Sequence, residues 1–186
     1  MKDRVVSWFL RNIVLPKMEV IDNPGFIIQK ISGKGRETFL REVMFPEDLL
    51  VDIEQKIHSK FGILGEQALY SAGKKFGYSF SGMSNFTKIS DISKKEFLSF
   101  CYNLVRYVET TYASKLQHKL DLKEKVFRLY MKGYIACSKD GLGYLMSSGG
   151  ISGIWAYMMN DPGIEGVEPK CQGRGDKMCE VVCGKP

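Results

Sequence analysis

No stretch of this sequence is long and apolar enough to cross a bilayer. A spanning helix needs about 20 nearly uncharged residues, and the nearest candidate, Val5 to Leu15, is interrupted by Arg11 and halted by Pro16. The same segment lacks the unbroken apolar core and small-residue cleavage site of a signal peptide, so a cytoplasmic protein without a membrane span is expected. Single-residue tracts are also missing, and with 12% aromatic and 44% apolar residues the composition excludes a disordered or low-complexity chain. Histidine is scarce. Only His58 and His118 are available for acid–base work, and neither sits in a His-Glu-x-x-His motif or beside a nucleophile. Cysteine is absent from the first half. Cys101, Cys137, Cys171, Cys179 and Cys183 form an odd set with no secretory signal, which argues against a complete disulfide framework and leaves metal binding or core packing.

What is present fits one compact domain, since a chain of roughly 150 residues already buries about 68–70% of its unfolded surface and this one has 186. Its 27 Lys and Arg against 21 Asp and Glu give a net charge of +6. The cations scatter along the chain. Lys74-Lys75, Lys94-Lys95 and the interval Lys115 to Arg128 are locally basic, but Glu96, Asp121 and Glu124 break the pattern and no reader motif is present. A solvated surface with no direct nucleic-acid binding is the expectation.

Val6, Phe9, Leu10 and Ile13 fall at helical spacing and predict an N-terminal helix whose apolar stripe needs a partner surface. Gly25 to Ser32 and Glu37 to Phe45 read as a β-hairpin around Ser32-Gly33-Lys34-Gly35. Helices follow from Pro46 to about Ile57 and, past Gly62, from Leu64 to Phe80. In the latter, Gly73 and Gly77 lie four apart on one face. Each costs about 1 kcal/mol relative to alanine, so something must approach that backbone closely, with helix packing favoured over direct ligand contact. Phe97, Phe100, Cys101, Leu104, Val108 and Tyr112 stripe a third helix that can begin at Ser93, and Val126 to Cys137 alternates with period two. Ser147 to Met159 is helical, with Gly149 and Gly153 repeating the glycine spacing. Two short strands, about Ile164 to Cys171 and Met178 to Cys183, close the chain. The expected fold is α+β, an antiparallel sheet packed against several α-helices in a single domain.

The last hairpin carries the chemistry. Its turn at Gly173 and Gly175 brings Cys171 and Cys179 together, and Pro169 can kink the incoming strand so that Glu168 turns toward them. Two thiolates and a carboxylate suit Zn²⁺. Cys183 is a poor fourth ligand, since four extended residues carry it about 13 Å from Cys179. A Cys171–Cys179 disulfide is the competing reading, disfavoured by a reducing cytosol.

Tyr70-Ser71-Ala72-Gly73-Lys74-Lys75-Phe76-Gly77, the helix with Ser152-Gly153, and the closing Glu168-x-x-Cys171 with Cys179 together resemble the 4-vinyl reductase domain family over residues 60–186. That family includes the ligand-sensing domains of bacterial activators that respond to phenol and related aromatics, and it shares a fold with transport-particle tethering subunits. The resemblance implies a zinc held by Glu168, Cys171 and Cys179. The family's further cysteine, at the start of the Ser-Gly helix, is Tyr144 here, so Cys137, a nearby residue or water completes the shell, or no metal binds. The resemblance also implies a pocket for a small apolar or aromatic molecule, for which Phe76, Phe100, Tyr134, Tyr144, Trp155 and Met158 are the candidate lining.

The reading that follows is a non-enzymatic, sensor-type binding domain at residues 60–186. Residues 1–59, the N-terminal helix, hairpin and first helix, are then a dimerisation region of a homodimer, and a separate signalling or DNA-binding partner supplies the output. A tethering role is the alternative. An enzyme related to reductases ranks below both, because neither Gly33-Lys34-Gly35 nor Gly149-Gly150-Ile151-Ser152-Gly153 has the dinucleotide fingerprint.

Overall fold

The computed structural model describes the backbone of residues 19–23, 26–33, 36–42, 47–111, 115–132 and 145–185, and side chains over 49–106, 116–132 and 145–185. Three strands come first, β1 (Glu19–Asn23), β2 (Phe26–Gly33) and β3 (Arg36–Glu42), forming an antiparallel meander in which Gly33 pairs with Arg36. The hairpin expected from the sequence is therefore present as β2 and β3, with β1 added. The expected N-terminal helix lies outside the described residues.

Helices α1 (Glu47–Phe61) and α2 (Ile63–Met83) are separated at Gly62, whose φ of 55° is disfavoured for residues with a Cβ. Helix α3 (Lys94–Thr111) starts at a capping box. The Glu96 carboxylate accepts the Ser93 N–H at 3.0 Å and the Ser93 hydroxyl at 2.6 Å, and these bonds hold its pKa below the usual carboxylate value. Strands β4 (Lys115–Asp121) and β5 (Val126–Lys132) lead to helix α4 (Leu145–Met158). The chain closes with β6 (Glu165–Lys170), a 3₁₀ turn at Gln172–Arg174, and β7 (Cys179–Gly184). The last four strands form an antiparallel sheet in the order β4-β5-β7-β6. The fold is α+β in one domain, as expected.

The core lies between the inner face of this sheet and helices α3 and α4. Leu116, Phe127, Leu129, Met131 and Val181 from the strands meet Phe97, Cys101 and Val105 of α3 and Trp155, Ala156 and Met158 of α4, all buried.

Helices α2 and α4 touch backbone to backbone. A Cβ built on Gly73 would stand 2.1 Å from the Met146 carbonyl oxygen, one on Gly77 2.1 Å from that of Gly150, and one on Gly153 2.1 Å from that of Lys74. Such separations are far inside van der Waals contact. The paired glycines read from the sequence thus serve a close helix crossing.

The N-terminus of α4 is held from a distance. Glu54 of α1, a carboxylate 3% exposed, accepts the N–H groups of Leu145 at 3.1 Å and Met146 at 3.0 Å. These amides have no intrahelical partner, and the helix dipole favours the negative charge there. Glu54→Gln leaves one oxygen where two amides need acceptors and turns an NH₂ toward a donor. It is expected to cost about 1–3 kcal/mol, read as a lower denaturation midpoint at unchanged m-value; a midpoint equal to the parent's would contradict the cap.

Candidate metal centre and its surroundings

Strand β6 does not run straight into the turn. Its pairing with β7 is regular from Glu165↔Gly184 to Val167↔Val182, then shifts before Lys170↔Glu180. The irregularity falls on Glu168 and Pro169, where a residue without an N–H interrupts a ladder. The turn beyond it is tied tightly. Asp176 accepts the Cys171 N–H at 2.9 Å, Cys171 O accepts the N–H of Arg174 at 3.0 Å, and Gly175 takes a φ of 92°. Arg174 donates through its guanidinium to Glu168 O.

The result is convergence. One carboxylate oxygen of Glu168 and the sulfurs of Cys171 and Cys179 all lie within 4.8 Å of one another, the two cysteines fully buried and Glu168 half-buried. The cysteines are not joined in a disulfide. A tetrahedral site with Zn–S near 2.3 Å sets its ligand atoms about 3.5–3.8 Å apart, so a contraction of roughly an ångström would close these three donors on an ion. The Gln172 N–H also points at Cys179 Sγ, 3.3 Å away, a bond that stabilises negative charge on sulfur. The donor set and geometry fit a metal, with one coordination position left to a further ligand. Cys137, which the sequence offers for that position, and Tyr144, which stands where the resemblance expects a cysteine, both lie outside the described residues.

Cys183 and Cys101 are packing residues. Burial pushes both thiols up to about 12, which keeps them protonated and inert. The histidines lie apart from the cluster. His118 rests against the rings of Tyr102 and Phe127, and His58 pairs with Glu66 at 2.6 Å.

A polar junction joins the helix crossing to β6, and hydrophobic periodicity gives no sign of it. The Tyr70 hydroxyl donates to Glu165 at 2.8 Å, accepts the Gly166 N–H at 2.6 Å and lies 3.0 Å from Ser152 Oγ. Burial, more than any neighbour, raises the Tyr70 pKa to about 12. Lys74 pairs with Glu165 and donates to Pro162 O. An open groove of about 370 Å³ runs along this junction between α2 and the Pro162 to Glu165 segment.

Of the residues expected to line a pocket, Phe76 stands apart, whereas Trp155 and Met158 lie in one buried cluster and Phe100 packs against it. Phe76 is 60% exposed on the outer side of α2. It stacks on Phe80, which meets Phe86 edge-on, which in turn meets Phe100, so Phe76 and Phe100 stand at opposite ends of a string of rings. Trp155 is buried between Phe97 and Phe127, stacked on the latter at 5.0 Å, and donates its indole N–H to Lys125 O. Met158 is buried in the same layer. None of the four lines the open groove. Tyr134 and Tyr144 lie outside the described residues.

No protein-family model matches the chain, and no curated protein matches it by sequence. Among solved structures, the phenol-responsive sensory domain of the transcription activator PoxR, crystallised with phenol, matches with a TM-score of 0.64 at 12% identity, over 95% of this chain and 88% of that one. An H-NOX protein from S. oneidensis in the Fe(II)NO ligation state matches with a TM-score of 0.48 at 12% identity, over 82% of each chain. The first likeness extends over nearly the whole chain and establishes that this sequence shares its fold with a sensory domain.

Proposed function

We propose that this chain is a non-enzymatic sensor domain for a small apolar or aromatic molecule, with a structural Zn²⁺ held by Glu168, Cys171 and Cys179. The observation that carries the reading is the convergence of those three donors within 4.8 Å at the one strand irregularity of the closing hairpin. The fold shared with the PoxR sensory domain supports it, as does the resemblance to 4-vinyl reductase domains. In this reading the metal pins the last hairpin against the sheet. The ligand is taken up in the aromatic layer of Phe100, Trp155 and Met158, displacing ring contacts there, with Tyr134 and Tyr144 as further lining. The protein acts in the cytoplasm as a homodimer through residues 1–59, and a separate partner carries the output. No helix of the described residues is long and apolar enough to cross a membrane.

A thermal-shift screen of phenol and other monocyclic aromatics tests the binding. A ligand at 100 times its Kd adds about 2.7 kcal/mol, which for a chain of this size raises Tm by roughly 5–11 °C. A panel without a single shift would defeat the sensor reading. It would favour a tethering role, for which the exposed Phe61, Ile63 and Leu64, at 56%, 70% and 74%, offer an apolar surface.

A further inference from the structure

The cations that scatter along the sequence converge on the outer face of the four-stranded sheet. In an antiparallel pair, residues directly opposite share a face, so the register defines rows across the surface. One row runs Gln117, Tyr130, Glu180, Lys170, and the next runs Lys119, Arg128, Val182, Val167. Lys132 lies two residues beyond Tyr130 on the same strand. Lys119, Arg128, Lys132 and Lys170 are all exposed, whereas the alternate residues Leu116, Leu129 and Val181 are buried beneath. Glu180 is the one carboxylate in these rows. It is buried, and it pairs with Arg128 at 3.2 Å and Lys170 at 2.9 Å. Burial raises its pKa, but Lys170 and then Arg128 outweigh that and keep it below the usual carboxylate value. Tyr130 sits in the middle, half-buried, with Arg128 and Lys132 on either side along β5 and Lys119 Nζ 5.8 Å from its ring.

We propose that this outer sheet face binds single-stranded nucleic acid, with Tyr130 as the stacking platform for a base and Lys119, Arg128, Lys132 and Lys170 as phosphate contacts. An open antiparallel sheet bearing an aromatic ring on a central strand with cations around it is a general solution for unpaired strands, since every base has a π-face and every linkage a negative charge. Cations alone would serve an acidic protein segment, which has no use for a ring at their centre. The absence of clustering along the sequence does not count against this face, because pleating and register bring the side chains together.

Fluorescence anisotropy with labelled 12-mers of oligo(dT) and oligo(U) tests the proposal on the full chain. Saturable binding is expected at 50 mM salt. Four phosphate contacts on a single strand predict a loss of about 50-fold between 50 and 200 mM salt. Lys119→Glu combined with Lys132→Glu should weaken binding at least tenfold at unchanged Tm, and the milder Lys119→Gln with Lys132→Gln should weaken it in the same direction. Tyr130→Ser should weaken it at least fivefold without altering the salt slope, a signature that charge loss cannot produce. No saturable binding at 50 mM salt would overturn the proposal. Equal binding of a poly-glutamate peptide or of phosphatidylglycerol vesicles, with Tyr130→Ser indistinguishable from the parent, would overturn it in favour of an acidic protein or a membrane surface.

Discussion

Gly149→Ala is expected to destabilise the fold strongly, while Gly150→Ala, one residue on, is expected to leave it intact or strengthen it. In an exposed helix both changes would gain about 1 kcal/mol from propensity. Here the sign is decided by what the new methyl meets. At position 149 it would lie 2.2 Å from the Tyr70 carbonyl oxygen and 3.0 Å from the Lys74 nitrogen, whereas at position 150 its nearest neighbour is the Gly73 carbonyl oxygen at 3.9 Å. Backbone cannot swing aside as a side chain can, so α2 and α4 must separate, and the other glycine contacts of the crossing separate with them. Overpacking a core typically costs 1–3 kcal/mol. A clash against backbone at a multi-point crossing should reach at least about 3 kcal/mol, a large part of a total stability of about 5–15. Paired urea titrations read the difference directly. Equal midpoints for the two variants would show that the crossing yields.

Removal of the metal is the second large effect. Protein purified without chelator is expected to carry about one zinc per chain by elemental analysis, and Cys171→Ser to carry none and melt far lower. Structural zinc contributes about 10–16 kcal/mol of apparent folding free energy in small zinc-binding peptides, which exceeds the stability of most domains. Even a fraction of it would dominate this fold. Cys183→Ser is the matched control. Cys183 is as buried as Cys171 yet lies outside the converging group, so its hydroxyl variant should lose stability but keep the ion. Protein without zinc, or a Cys171→Ser variant as stable as its parent, would remove the metal from the account.

Much of this architecture is legible in the residues because local signals and packing agree. Ser93 followed by Glu96 marks the start of α3, the break at Gly62 separates α1 from α2, and the strands about the last turn are read to within a residue or so. Strand β4 is hidden. Its inward residues Leu116, His118 and Leu120 alternate properly, but Lys115, Lys119 and Asp121 make the segment look like a solvated stretch, and only pairing with β5 reveals its face. Glu54 leaves a trace that periodicity alone cannot interpret, a carboxylate on the buried side of α1 near Val51. Its partners lie 91 and 92 residues away. The donors Glu168, Cys171 and Cys179 are close in sequence, so a single turn suffices to assemble them. A ligand pocket depends on many residues far apart in the chain, and Phe76 and Trp155 show the difficulty. Both are aromatic at helical spacing, yet one is on the surface and the other deep in the core.

The crossing of α2 and α4 has one more consequence. Where carbonyl oxygens rest directly against α-carbons, no rotamer can flip to loosen the seam, and the two segments behave mechanically as a single beam. The Tyr70 hydroxyl fastens that beam to the strand leading into Glu168. A displacement of α4 is therefore expected to carry α2 with it and to reach the closing hairpin through Tyr70.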